Sequence, residues 1–259
     1  NRFDAFYIMD IEQRDGFNKV MTGSKNAAGE DIVPSTTYTA AAFATRGLDS
    51  SFAGAYWPDI KIDIGDGSGL QTAPASVAAL GVMSQNDDRG EPWFAPAGYN
   101  RGTVDPSITG TTFPLEREDL NKLYDVSINP LATFAGKNSV VWGQKTLLAD
   151  ASALDRINVR RLLINVRRKV KAVANSMLFE PNRQETLDRF NALVRPIMQR
   201  VQNEQGVERF KVIIDATTTT AADIENNTIR GKIYLQPTRT AEFIALDFTV
   251  ANASNFDSV

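Results

Sequence analysis

Apolar residues recur at helical spacing through the second half of the chain. From residue 154 to about 179, Val159, Leu162, Leu163, Val166, Val170, Val173 and Met177 follow an i, i+3, i+4, i+7 rhythm. That rhythm predicts one long amphipathic helix running until Pro181. Asn182 then stands at a cap position with Glu185 three residues on, the spacing of a capping box. Leu187, Phe190, Val194, Ile197 or Met198, and Val201 mark a second helix, ended by Gly206. Three segments rich in β-branched and aromatic residues, 209–215, 229–236 and 242–250, read as strands, with a polar extended tail over 251–259. Ahead of the long helices, residues 116–124 predict a short acidic helix and 140–142 a strand.

The first half alternates in type. Residues 3–11 read as a buried strand and 15–34 as a polar loop. Ser35 caps a helix through Ala40 to Thr45 that Gly47 ends, and a second strand covers 55–64. Residues 63–69 turn the chain, and Pro74 opens a helix through Val77, Leu80 and Val82. The order strand, helix, strand, helix predicts an α/β unit within an α/β (α+β) chain. Gly90, Pro92, Pro96, Gly98, Gly102, Pro106 and Gly110 then cluster, which places a domain boundary near residue 110 and divides the chain into 1–110 and 111–259.

Composition narrows the chemistry. Of 259 residues, 42% are hydrophobic and 23% charged, the balance of an ordinary globular protein. No run approaches the ~18 apolar residues of a membrane span. The chain has no Cys, which removes disulfides, thiolate nucleophiles and iron–sulfur clusters, and no His, which removes the commonest general base and imidazole ligand. A net charge of −3 argues against a polyanion binder, so no nucleic-acid partner is expected. Because the chain passes from Asn1 straight into a strand-like segment, it is expected to be the C-terminal portion of a longer polypeptide.

Candidate sites mostly dissolve into structural roles. Gly65-Asp66-Gly67-Ser68-Gly69 lacks the Lys-Ser/Thr ending of a phosphate loop, and Asp63 with Asp66 lacks the alternating oxygen ligands of a calcium loop, so the segment reads as a turn. Glu116, Glu118 and Asp119 suit the positive end of a helix dipole. No catalytic, cofactor-binding or metal residue is assigned.

The long helix is more informative. Arg156, Arg160, Arg161, Arg167, Arg168 and Lys171 fall roughly 60–200° from the centre of its apolar stripe at ~100° per residue. They form either a solvated face with local salt bridges or an interface with an acidic partner, where charge sets register. At the C-terminal end, Phe243, Ile244, Leu246, Phe248 and Val250 make a hydrophobic strand whose edge needs protection or a partner.

The wording of several segments resembles a known family. Trp93-Phe94-Ala95-Pro96-Ala97-Gly98 followed by Asn100-Arg101-Gly102 is similar to a stretch of contractile-phage tail sheath proteins. Tyr56-Trp57-Pro58, Pro74-Ala75-Ser76, Leu123-Tyr124 and Ile128-Asn129-Pro130 fit the same order. So do Val141 to Leu147, Ser152 to Leu162, Phe179-Glu180-Pro181-Asn182, and Tyr234 to Thr238, with T4-like myoviruses nearest in wording. The resemblance implies a partial α/β domain followed by an inner, polymer-forming domain. In that domain two long helices pack on a mixed β-sheet, with an extended terminal arm that adds strands to neighbours. It implies a virion component, assembled in the host cytoplasm, that polymerises with itself as stacked hexameric rings. Its other partners are the tail tube, baseplate and tail terminator proteins, with no direct membrane insertion and no cofactor. The basic residues are then expected to face the tube or an adjacent subunit, and Phe243 to Val250 to make the inter-subunit strand. The sheath of a bacterial contractile injection device is an alternative within the same class. A carboxylate-dependent enzyme is an alternative outside it.

Overall fold

The computed structural model describes residues 3–21, 28, 32–134, 136, 138–215 and 217–242. Two strands buried along nearly their whole length form its centre. β1 (Tyr7–Asp10) is followed by α1 (Thr36–Ala44) and β2 (Ala53–Trp57), and β2 is buried along its whole length. β3 (Ile60–Asp63) and β4 (Leu70–Ala73) form a hairpin leading into α2 (Ala75–Arg89). The short α3 (Gly98–Arg101), β5 (Ile108–Thr111) and α4 (Arg117–Asp125) come next, then β6 (Ile128–Thr133) and β7 (Ser139–Val141). The rest comprises the long α5 (Ile157–Ser176) and α6 (Gln184–Asn203), then β8 (Val207–Ile213), α7 (Ala221–Glu225) and β9 (Lys232–Pro237).

A four-stranded sheet runs β1-β2-β6-β7, with β1, β2 and β6 parallel and β7 antiparallel. Alternation along β2 serves two layers. Tyr56 joins Ala75, Ala78, Ala79, Val82 and Met83 of α2 on one face, while Ala53, Ala55 and Trp57 join Phe43 of α1 and Leu123 of α4 on the other. A second, three-stranded sheet, β4-β3-β5, flanks this body. Residue 110, read as a boundary from the glycines and prolines, lies inside β5, and the four-stranded sheet takes strands from both sides of it.

The third core is built from the long helices. Leu162 and Val166 of α5 and Leu187, Val194, Met198 and Val201 of α6 pack with Val207 and Val212 of β8 and with Trp93. Fully burying a side chain such as Met198 stabilises by roughly 1.5–3 kcal/mol, so this stripe is the main term holding the helices to their sheet. The described sheet there is the two-stranded antiparallel pair β8-β9; the mixed sheet is the upstream one. Helix α6 closes with a Schellman turn: Gln205 takes φ 62, its N–H donates to the Gln202 carbonyl at 3.0 Å, and the Gly206 N–H donates to the Val201 carbonyl at 2.8 Å.

Several elements differ from the sequence reading. The strand read over 3–11 is four residues long and lies at the edge of the sheet that the described residues form, with Tyr7 62% exposed. The strand read over 55–64 is two strands, divided where Pro58 has no N–H to give a ladder. Helix α2 buries its alanines and leaves Val77 and Leu80 exposed, since the small side chains let it approach the sheet closely. Arg183, not Asn182, holds the cap position of α6; the Asn182 amide instead donates to the Thr228 carbonyl at 3.2 Å. The strand read over 242–250, with Phe243, Ile244, Leu246, Phe248 and Val250, lies outside the described residues.

Candidate assembly surface

Two features of the C-terminal half were singled out by sequence: the basic helix and the hydrophobic strand ends. Helix α5 begins over the upstream sheet, where Ile157 belongs to the α2 core, and continues into the third core from Leu162 onward. Gly54 of β2 makes this possible: a Cβ there would stand 3.1 Å from both the Ile157 side chain and the Phe6 ring.

That placement divides the six cations. Arg160 is buried, donates to Ser51 Oγ and lies 4.0 Å over the Phe52 ring; burial holds its pKa below the ordinary Arg value, with Arg167 adding to the effect. Arg161 Nη2 donates to both carboxylate oxygens of Asp87, at 2.6 and 2.5 Å. Arg156 pairs with Glu242 at 2.8 Å and with Asp155 at 3.0 Å. These three are engaged within the chain. Arg167, Arg168 and Lys171 are exposed, Arg167 lying 5.2 Å from the Phe3 ring. No ion pair is recorded for these three among the described residues, so one exposed cationic patch remains on the C-terminal half of α5.

The β8-β9 pair alternates in the manner of a one-sided sheet. Phe210, Val212, Ile233 and Leu235 turn to the helices, while Arg209, Lys211, Lys232 and Tyr234 are exposed. Each strand has a partner on one side only among the described residues.

Two exposed residues escaped sequence reasoning. Leu178 is 63% and Phe179 104% exposed, at the tip between α5 and α6. Apolar periodicity alone extends the helix over them; the signal against this is Pro181, which disfavours helix for the residue before it.

The segments that carried the family resemblance have local reasons. Trp93 is buried, its indole N–H donates to the Glu204 carbonyl at 2.9 Å, and its own carbonyl accepts from Asn158 Nδ2 at 3.2 Å, tying both long helices together. A Cβ at Gly102 would lie 2.6 Å from the Gly98 nitrogen, so the turn there closes only on glycine. Asn129 Nδ2 donates to the Ala55 and Lys145 carbonyls at 3.1 and 2.8 Å, and its Oδ1 accepts from the Lys145 N–H at 2.6 Å.

Asp66 of the glycine-rich turn accepts from the Ser68 N–H at 2.9 Å, which with the Ser68 hydroxyl holds its carboxyl below the ordinary Asp range. Its bonds are those of a turn.

Residues 149–251 match the family model described as the phage tail sheath C-terminal domain. The chain is a relative of phage tail sheath proteins. It is 34% identical over 184 residues to the tail sheath protein of Vibrio phage KVP40, covering 71% of this chain and 27% of that protein. It is 29% identical over 187 residues to the tail sheath protein of Enterobacteria phage T4, covering 72% of this chain and 28% of that one. Among solved structures, the sheath complex of PVC, an extracellular contractile injection system in its contracted state, superposes with a TM-score of 0.72 at 26% identity. That superposition covers 82% of this chain and 59% of the PVC chain. The chain thus spans little more than a quarter of the phage relatives' length, 27% and 28%.

Proposed function

We propose that the chain acts as a structural subunit of a contractile phage tail sheath. Copies assemble as stacked hexameric rings around a tail tube, and their contraction drives the tube through a host envelope. The relationship at 34% identity to a phage tail sheath protein carries this reading. The geometry supports it in two places. The β8-β9 pair offers backbone edges of the kind that accept a further strand, and the segment with Phe243, Ile244, Leu246, Phe248 and Val250, outside the described residues, is the proposed link to a neighbour. The exposed Arg167, Arg168 and Lys171 meet an acidic face of the tube or of an adjacent subunit, where charge sets register and speeds encounter. Baseplate and tail terminator proteins complete the partners, and the finished assembly resides in the virion tail after being built in the host cytoplasm. The work is mechanical: a metastable array released at one end runs downhill and needs no catalytic group or cofactor.

The superposition on the PVC sheath favours a second reading, the sheath of a bacterial contractile injection device. Electron microscopy of particles carrying a gold label on this chain tests both. Label repeating along the whole tail supports the sheath role, and a capsid on the labelled particles separates phage from injection device. Label absent from tails, or confined to one end, overturns the proposal.

A further inference from the structure

We propose that the carboxylate of Glu242 is an anchor that pins the departure point of residues 243–259 to the start of α5 and the centre of the upstream sheet. The role of those residues as an inter-subunit arm rests on the sheath reading; the anchor itself rests on geometry alone. After β9 the chain crosses back toward the first half of the molecule, held at three points. The Thr238 N–H donates to the Gly206 carbonyl at 3.3 Å, and Asn158 Nδ2 donates to Thr240 Oγ1 at 3.2 Å. Glu242 then makes the last and most strongly charged attachment. One of its oxygens accepts from Arg156 Nε at 2.8 Å and from Gln144 Nε2 at 3.2 Å; the other accepts from the Tyr124 hydroxyl at 3.3 Å.

No residue from 238 to 242 belongs to any of the three described apolar cores. Clefts of 350 and 660 Å³ border this strap, the smaller lined by Tyr124, Trp142 and Glu242 and the larger by Val159, Glu208 and Thr240. Polar contacts therefore hold it, and the Glu242 side chain, only 20% exposed, carries the single charge-assisted set among the described residues of the strap.

The receiving groups are tied deep into the fold. The Gln144 carbonyl accepts from the Ile157 N–H at 2.8 Å, where α5 begins. One residue on, Lys145 is bonded through Asn129 of β6 to Ala55 of β2, the two central strands. Lys145 Nζ also donates to the Tyr124 carbonyl at 2.8 Å and sits 3.6 Å over that ring. Arg156 and Lys145 thus stand beside one another with the Glu242 and Asp155 carboxylates as counter-charges. Removing the Glu242 charge leaves two neighbouring cations underneutralised and frees the strap.

The absence of native Cys allows a clean test on the full 259-residue chain. Nitroxide labels at Arg117→Cys on α4 and Ala241→Cys on the strap report their separation by pulsed electron resonance, without any need for polymerisation. The expected result is one narrow distance peak in the parent and loss of that peak in both Glu242→Gln and Arg156→Met, with an unchanged far-ultraviolet spectrum confirming the fold. Retention of the narrow peak in both variants overturns the anchor. A variant that loses the fold is replaced by its partner across the same ion pair. Because the measurement is made on the monomer, its failure is distinct from failure of the sheath reading, which would show only in particles.

Discussion

Phe179 carries its aromatic ring 104% exposed on a backbone at φ 69, a combination that the isolated chain does nothing to repay. A left-handed backbone costs an L-residue roughly 1–2 kcal/mol, whereas glycine adopts it freely. Phe179→Gly is therefore expected to raise stability by up to about 1 kcal/mol in urea unfolding, after allowing for the greater freedom glycine gives the unfolded chain. A fall in the midpoint would mean that the ring packs within the monomer. Residue-level reading of the sequence succeeded where a rule is local: Ser35 was placed as a cap, and its hydroxyl accepts from the Tyr38 N–H at 3.4 Å. It failed where the deciding partner is distant. Gly54 drew no notice, because the Ile157 side chain that would stand 3.1 Å from a Cβ there is brought close only by the fold.

Helices α5 and α6 were the most legible elements, since two amphipathic helices packed on each other obey one period and Leu162, Val166, Leu187, Val194, Met198 and Val201 follow it. Helix α2 was less legible because half of its buried residues are alanines, which a hydrophobic stripe weighted toward Val77 and Leu80 misphases. The basic ridge of α5 was legible in sequence and divided in space. Asp87 lies 74 positions before Arg161 and Ser51 lies 109 before Arg160, so no local pattern reveals that these cations are engaged. This division sharpens the test of the interface. Arg167→Glu, Arg168→Glu and Lys171→Glu combined should leave thermal stability within about 0.5 kcal/mol, as exposed substitutions do, while abolishing ordered assembly on the tube in a sedimentation assay. Arg160→Met serves as the contrast and should cost about 1–3 kcal/mol through its buried hydrogen bond and its stacking on Phe52. Unchanged assembly by the triple reversal would make the exposed patch a solvated surface only.

At the scale of the molecule, the class was legible and the topology was not. An order of alternating strands and helices signals a parallel sheet, yet nothing local says that β2 should lie between β1 and β6, with Tyr56 registered against Asn129 although β3, β4, α2, α3, β5 and α4 intervene in the chain. That crossing also couples the two halves, because the sheet of the first is completed by strands beyond residue 110 and the first turn of α5 returns to pack on it. Under the proposed sheath role, a subunit built this way would rotate as one body while strands shared with its neighbours keep them attached. A contact that does not close on itself then propagates as an open helical array. The three described cores are closed by residues up to Leu235, so a deletion beyond residue 248 removes none of their members. Deleting residues 249–259 is expected to leave a folded monomer, with a melting midpoint close to that of the parent in calorimetry, that no longer enters a growing sheath when mixed with full-length subunits. Incorporation at the parental level would show that attachment between subunits runs through other surfaces, and would shift attention to the exposed tip at Leu178 and Phe179.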